Sequence, residues 1–225
     1  MSRKGIRIAV RSAAFTLVTL AVIFIPAGTF NYWQAWVLIG VYAVCGTWLA
    51  ISTWKHNRAL FELRMKQGPR AEKSPAQRVI VSLLYSGLIV QFVLAALDHR
   101  FRWSFVPPLV AIIGDAIVVV GFYVYSIVMR ENSFASGAIE LNPGQHVIST
   151  GPYGTIRHPM YVGLLLVFLG VPLAMGSYWA LTIFAAEVPV VMWRLLDEEQ
   201  FLVKNLPGYA EYRAQTRWRL VPGIF

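Results

Sequence analysis

The sequence predicts an all-α fold, a polytopic membrane helical bundle with four full spans and a short C-terminal helical hairpin. Three observations predict it. Of 225 residues, 57% are hydrophobic and 14% charged, whereas ordinary soluble domains carry about 25% charge. Apolar runs at residues 12–29, 33–54, 79–97 and 104–129 are each near or above the roughly 18–20 residues a spanning helix needs. Two further runs, 160–174 and 177–193, meet around Gly176. At about 1.5 Å per residue they reach only about 22–26 Å, short of a hydrocarbon core of about 30 Å, and read as a tilted hairpin.

The elements follow in order. The basic stretch Ser2–Arg11 precedes the first run with no convincing small-residue cleavage site, the pattern of a retained anchor. Lys55–Arg78 is polar, with breaks at Gly68-Pro69 and Ser74-Pro75. Within it, Asn57–Lys66 sets Leu60, Phe61, Leu63 and Met65 among charges, as in an amphipathic helix that lies on the membrane and anchors there. From Arg130 to Arg157 the alternation at 138–141 and 146–150, joined by Asn142-Pro143-Gly144, predicts turns and brief extended pieces. Such backbone belongs at the interface or against protein. The C-tail, Asn205–Phe225, mixes tyrosines with Arg217, Trp218 and Arg219 and is expected to fold back over the mouth of the bundle. With no internal repeat, residues 1–225 read as one integral-membrane domain, with four spans in 1–129 and a polar motif region in 130–225.

Charge predicts orientation. If every run crosses once, 18 of the 20 Lys and Arg residues share one side and only Arg100 and Arg102 fall on the other. The positive-inside rule makes the shared side cytoplasmic, with both termini and the motif region on it. The net charge of +9 then reports topology and contact with anionic lipid. Nucleic acid is not an expected partner, because no nucleic-acid-binding motif accompanies these charges. The single cysteine, Cys45, lies in a span and argues against a Cys-based metal site, and the four histidines lack metal-ligand spacing. No metal is expected. Gly114–Gly121 lies in an apolar helix with no strand before it, which argues against a dinucleotide loop.

Two polar knots stand out. Pro159 suits the first turn of a helix, which places Arg157 and His158 at its start, where free N–H groups and the positive dipole end favour an anion. Arg194 and Glu198, four apart, share a helical face as a possible ion pair. Each has a plain reading: a snorkelling arginine in an interfacial His and Tyr belt, and an exposed pair of small value. The hairpin would bring Arg157, His158, Arg194, Glu198 and Glu199 together, and convergence makes a site. Gln91, Asp115 and Glu187 fall within predicted spans, and the two carboxylates are read as buried structural pairing or the lining of a lipid-accessible cavity, outside the active site.

The segments Gly151-Pro-Tyr-Gly-Thr-Ile-Arg-His-Pro-Met-Tyr-Val-Gly163, Arg194-Leu-Leu-Asp-Glu-Glu199, Gly208-Tyr-Ala-Glu-Tyr212 and Arg219-Leu-Val-Pro222 together resemble the isoprenylcysteine carboxyl methyltransferase family and its phospholipid methyltransferase relatives. The resemblance covers about residues 130–225. It implies a membrane methyltransferase that uses S-adenosylmethionine, yields S-adenosylhomocysteine, and binds the cofactor on the cytoplasmic side beneath the C-tail. Carried over by position, Glu140, Gln145, His146, Val147, Ile148, Tyr153, His158, Pro159, Met160, Tyr161 and Glu198 would bind cofactor. Arg194 would approach the acceptor, with Arg157 orienting it. Expected partners are the bilayer and a lipophilic acceptor, foremost a prenylcysteine-like carboxylate. A phospholipid amine or small thiol remains open, and an amine would need Glu199 or His158 as base. A non-enzymatic transporter or assembly factor is the alternative of another class.

Overall fold

The computed structural model describes residues 16–65 and 67–225; the expected anchor at Ser2–Arg11 lies outside the described residues. The helices run in the order α1 (Thr16–Ala27), α2 (Trp33–His56), α3 (Arg58–Arg64), α4 (Pro75–Phe101), α5 (Pro108–Glu131), α6 (Pro159–Ala174), α7 (Leu181–Asn205) and α8 (Tyr209–Gln215). Short 3₁₀ turns form at Pro69–Ala71 and Gly151–Gly154. Among the described residues no strand forms. The extended pieces expected at 138–141 and 146–150 pair with nothing, and the sole bridge joins Ile156 to Trp218 in parallel.

Three of the described helices, not four, are long and apolar enough to span: α2, α4 and α5, with 24, 27 and 24 residues. At 1.5 Å per residue these are about 36–40 Å long. The first expected run is represented by the shorter apolar helix α1, and its first residues lie outside the described ones. Pro75, Pro108 and Pro159 stand at the starts of α4, α5 and α6, where a missing N–H costs nothing and the fixed φ suits a helix. Asn57 ends α2 and caps α3, its side-chain oxygen accepting from the Leu60 amide at 3.0 Å.

The hairpin is not the symmetric pair expected. α6 is a 16-residue helix with no exposed residue, packed among α2, α4, α5 and α7. It is apolar all round, the mark of a buried helix. α7 runs on through the second polar knot to Asn205, because Arg194–Lys204 holds good helix formers and no breaker. The end of the apolar run is therefore not the end of the helix.

α6 packs most closely on α5, and glycines set the distance. Gly114 and Gly121 on α5 face Gly163 and Gly170 on α6, each pair spaced by seven residues. A Cβ on Gly170 would lie 2.8 Å from the Gly114 carbonyl, and one on Gly121 2.9 Å from the Gly163 carbonyl. Small residues let two apolar helices approach where lipid offers no hydrophobic drive. The Gly114–Gly121 stretch is thus a packing seam.

α3 also departs from expectation. Leu60 is fully buried against Val128, Met129 and Ala135, and Arg64 lines the cavity described below, so part of the face read as a membrane anchor packs on protein while Met65 stays exposed. Away from that region, Asp98 joins two loops: its carboxylate accepts from the Ser104 amide and hydroxyl, both at 2.6 Å, and from the Ser177 hydroxyl at 2.5 Å.

Candidate functional site

A cavity of about 480 Å³ opens among α2–α7, the 132–158 segment and the start of the C-tail. Glu140, Gln145, His146, Val147, Ile148, Tyr153, Arg157, His158, Met160, Tyr161, Arg194 and Glu198 all line it; Pro159, the first residue of α6, is buried and does not. Part of the lining is polar, and the rest is apolar or aromatic, from Tyr42, Val81, Leu84, Leu88 and Phe122 on the spanning helices and Phe168 on α6.

The knot Asp197-Glu198-Glu199 splits three ways, because successive helical residues point about 100° apart. Asp197 accepts from Gln77 Nε2 at 2.5 Å. Glu198 faces the cavity and accepts from the Tyr161 hydroxyl at 2.5 Å. Glu199 is buried and takes Arg157 Nε at 2.6 Å and His158 Nε2 at 3.2 Å on one oxygen, with Arg219 Nε at 3.0 Å on the other. Burial works to raise the Glu199 carboxyl, but hydrogen bonds from His158, Arg157 and Arg219 outweigh it and hold the group well below the ordinary carboxylate range.

Arg157, expected to orient the acceptor, is also bonded to the tail. Its Nη1 donates to the Thr216 and Arg217 carbonyls at 2.7 and 2.8 Å, while the Arg157 and His158 amides donate to the Trp218 and Arg219 carbonyls, both at 2.9 Å. This clasp fastens the tail to the start of α6. Leu206, Tyr209 and Tyr212 of the tail line the cavity, and the Tyr212 hydroxyl donates to the Tyr153 carbonyl at 2.7 Å. Burial raises both hydroxyls: Tyr212 is pushed up to about 12, and Tyr153 is raised further. Neither ionises near neutral pH.

The expected Arg194–Glu198 ion pair is absent among the described residues. Arg194 reaches across to Glu72 at 2.8 Å, to the Gln77 amide oxygen at 2.7 Å and to the Gly137 carbonyl at 3.2 Å. Glu72, only 2% exposed, also accepts from the Ile139 amide at 3.1 Å and so ties the 137–140 loop to α7. Glu140 pairs with Lys73 at 3.1 Å. Arg64, Glu72 and Gln77 were missed by sequence reasoning. The polar break Gly68–Arg78 held the signal for Glu72 and Gln77, two charged or amide side chains just before an apolar run. Gln91, on α4, donates to Glu187 at 2.6 Å, a buried pairing of the kind expected of Glu187, while neither Asp115 oxygen has a partner.

Several features of the cavity remain without partners inside the protein. The backbone groups of His146, Val147 and Ile148 make no hydrogen bond among the described residues. The Tyr209 hydroxyl is buried without a partner. Buried polar groups are ordinarily satisfied, so the Tyr209 hydroxyl marks a point where a polar ligand would be received, with the more exposed backbone of His146–Ile148 open beside the same cavity. No group of three His, Cys, Asp or Glu side chains able to hold a metal occurs among the described residues.

The phospholipid methyltransferase family model matches residues 109–207, from the start of α5 to the turn after α7. The apolar spans mark a membrane protein, and its residues 109–207 are similar to the phospholipid methyltransferases. The chain is 31% identical over 137 residues to the cobalt-zinc-cadmium resistance protein CzcN of Cupriavidus metallidurans, covering 57% of this chain and 58% of that one. It is 28% identical over 122 residues to the protein-S-isoprenylcysteine O-methyltransferase of Saccharomyces cerevisiae, covering 50% of this chain and 49% of that one. The chain thus spans about half the length of the curated relatives it matches.

Proposed function

We propose that the protein transfers a methyl group from S-adenosylmethionine to a lipophilic carboxylate, foremost that of a prenylcysteine-like acceptor. One observation carries the reading. A single cavity is lined both by the family's motif residues and by apolar side chains of the spanning helices.

The residues present fit such a cofactor. Glu198 has no ion-pair partner within 4 Å among the described residues and would hold an ammonium group by a charge-assisted hydrogen bond. The open backbone at His146–Ile148 would meet the adenine edge, and Tyr153 or Tyr161 its face. The cofactor would supply an electrophilic methyl group there. The chain's own task is then to align the acceptor and exclude water, which the clasped tail and the buried α6 support.

The state of Glu199 favours a carboxylate over an amine. An amine acceptor must lose a proton, and its base needs a pKa near the working pH. Glu199 is held far below that, and His158 is engaged with it at 3.2 Å. A carboxylate acceptor is already ionised and needs only orientation.

The test has two parts. Calorimetry on detergent-purified protein is expected to show S-adenosylhomocysteine binding. Labelled methyl is expected to enter a prenylcysteine carboxylate in a panel that also holds phospholipid and thiol acceptors, and to be lost on mild base treatment, as a methyl ester is. No binding of either cofactor form at millimolar concentration would sink the methyltransferase reading, and base-stable label on a phospholipid would replace the acceptor.

A further inference from the structure

We infer that Arg64, at the end of α3, is the residue that recognises the negative charge of the acceptor and separates substrate from product; this rests on the carboxylate reading above. The argument begins with the charges around the cavity. Glu140 is matched by Lys73 at 3.1 Å, Arg157 by Glu199 at 2.6 Å and Arg194 by Glu72 at 2.8 Å. Two charged side chains in the lining, Glu198 and Arg64, have no opposite charge within 4 Å among the described residues.

Arg64 has only weak company. Its Nη1 donates to the Ser136 carbonyl at 3.1 Å and approaches the Met160 sulfur at 3.6 Å. Burial works to lower its pKa, yet a guanidinium stays charged in proteins, so the missing counter-ion is an unmet demand. A desolvated charge left unpaired is costly, and the surrounding site gains when a ligand supplies the partner.

Its place in the cavity says which ligand. Arg64 lies within electrostatic reach of Tyr85 and Tyr125 of the spanning helices α4 and α5, and of Tyr153 and Arg194, in a lining that also holds the apolar Leu84, Leu88 and Phe122. Glu198 lies one helical turn before Leu202 on α7, and Leu202 packs against the tail residues Leu206 and Tyr209. An acceptor whose hydrocarbon chain lies past Leu84, Leu88 and Phe122 brings its anionic head to Arg64. The planar fork of Arg64 suits a carboxylate, with Nε and Nη2 making no hydrogen bond among the described residues. The methyl ester of the same acceptor carries no charge, so Arg64 holds the acid and lets the ester go.

The experiment measures binding of an S-prenylcysteine acid and its methyl ester to wild type, Arg64→Gln and Arg64→Lys, with S-adenosylhomocysteine affinity as a second readout. Wild type is expected to prefer the acid by about tenfold or more, Arg64→Gln to lose that preference, and Arg64→Lys to keep part of it. Cofactor affinity should be unchanged in all three, which also shows that the variants are folded. No preference for acid in wild type, or a full preference surviving in Arg64→Gln, overturns the inference. So does a tenfold drop in cofactor affinity in Arg64→Gln with the acid preference intact, since Arg64 would then serve the cofactor's carboxylate. Failure of wild type to bind S-adenosylhomocysteine beside an Arg64-dependent acid preference would reject the methyltransferase reading and leave Arg64 as an anion-recognising residue.

Discussion

Glu198 and Glu199 are neighbours in sequence with opposite surroundings, one facing a cavity and a tyrosine hydroxyl, the other closed in by two arginines and a histidine. Their substitutions should therefore separate. Glu198→Gln is expected to weaken S-adenosylhomocysteine binding by about tenfold or more with little change in Tm; equal affinity in both proteins would contradict its assignment. Glu199→Gln leaves Arg157 buried without its carboxylate, and breaking such a pair costs about 3–5 kcal/mol. It should release the tail to limited proteolysis. The pH dependence has a definite sign. A carboxylate with a depressed folded pKa contributes stability above its ordinary value of 4.5 and loses it as pH falls through the lower folded value. Tail protection should thus be flat from neutral pH down to about 5 and fail only below about 4.5; a loss already complete at about pH 6 would contradict this role of Glu199. The convergence of Arg157, His158, Glu198 and Glu199 was legible because helix-end spacing fixes it. The partners were not. Arg194 and Glu198 share a helical face, but Glu72 and Gln77 offered Arg194 a buried bidentate site, and a local i,i+4 pair is worth only a few tenths of a kcal/mol.

At the scale of elements, the contact between α5 and α6 depends on four glycines. Gly121→Leu would drive a side chain into the Gly163 carbonyl and Val167. It is expected to cost about 1–3 kcal/mol or more, read as a lower Tm in the cofactor-free and the cofactor-bound protein alike. An unchanged Tm would mean that the helices part without penalty. The seven-residue spacing was visible in the chain, but nothing local says which helix a glycine faces. The reach of α7 was hidden for a related reason: hydropathy reports where lipid stops, whereas helix propensity and capping report where the helix stops. α3 shows the same limit, since an amphipathic face does not reveal whether lipid or protein covers it, and Leu60 and Arg64 turned to protein.

For the whole molecule, the all-helical bundle and its apolar spans followed from composition and run length, and the nesting of the helices did not. The run 160–174 read as half of a short tilted hairpin because it is too short to cross a bilayer alone. The fold places it at the centre, walled by helices of 24 to 27 residues. A short helix that touched lipid would make the protein sensitive to bilayer thickness, since hydrophobic mismatch costs fractions of a kcal/mol per ångström. Here the longer neighbours carry the exposed apolar side chains, and no residue of α6 is exposed. Turnover in vesicles should therefore vary less than about twofold as acyl chains lengthen from about 14 to 20 carbons, and a steep optimum at short chains would show that α6 senses the bilayer after all. The shortness of α6 is thus an internal recess, a way to set polar chemistry below the rim of the protein without asking the surrounding membrane to thin.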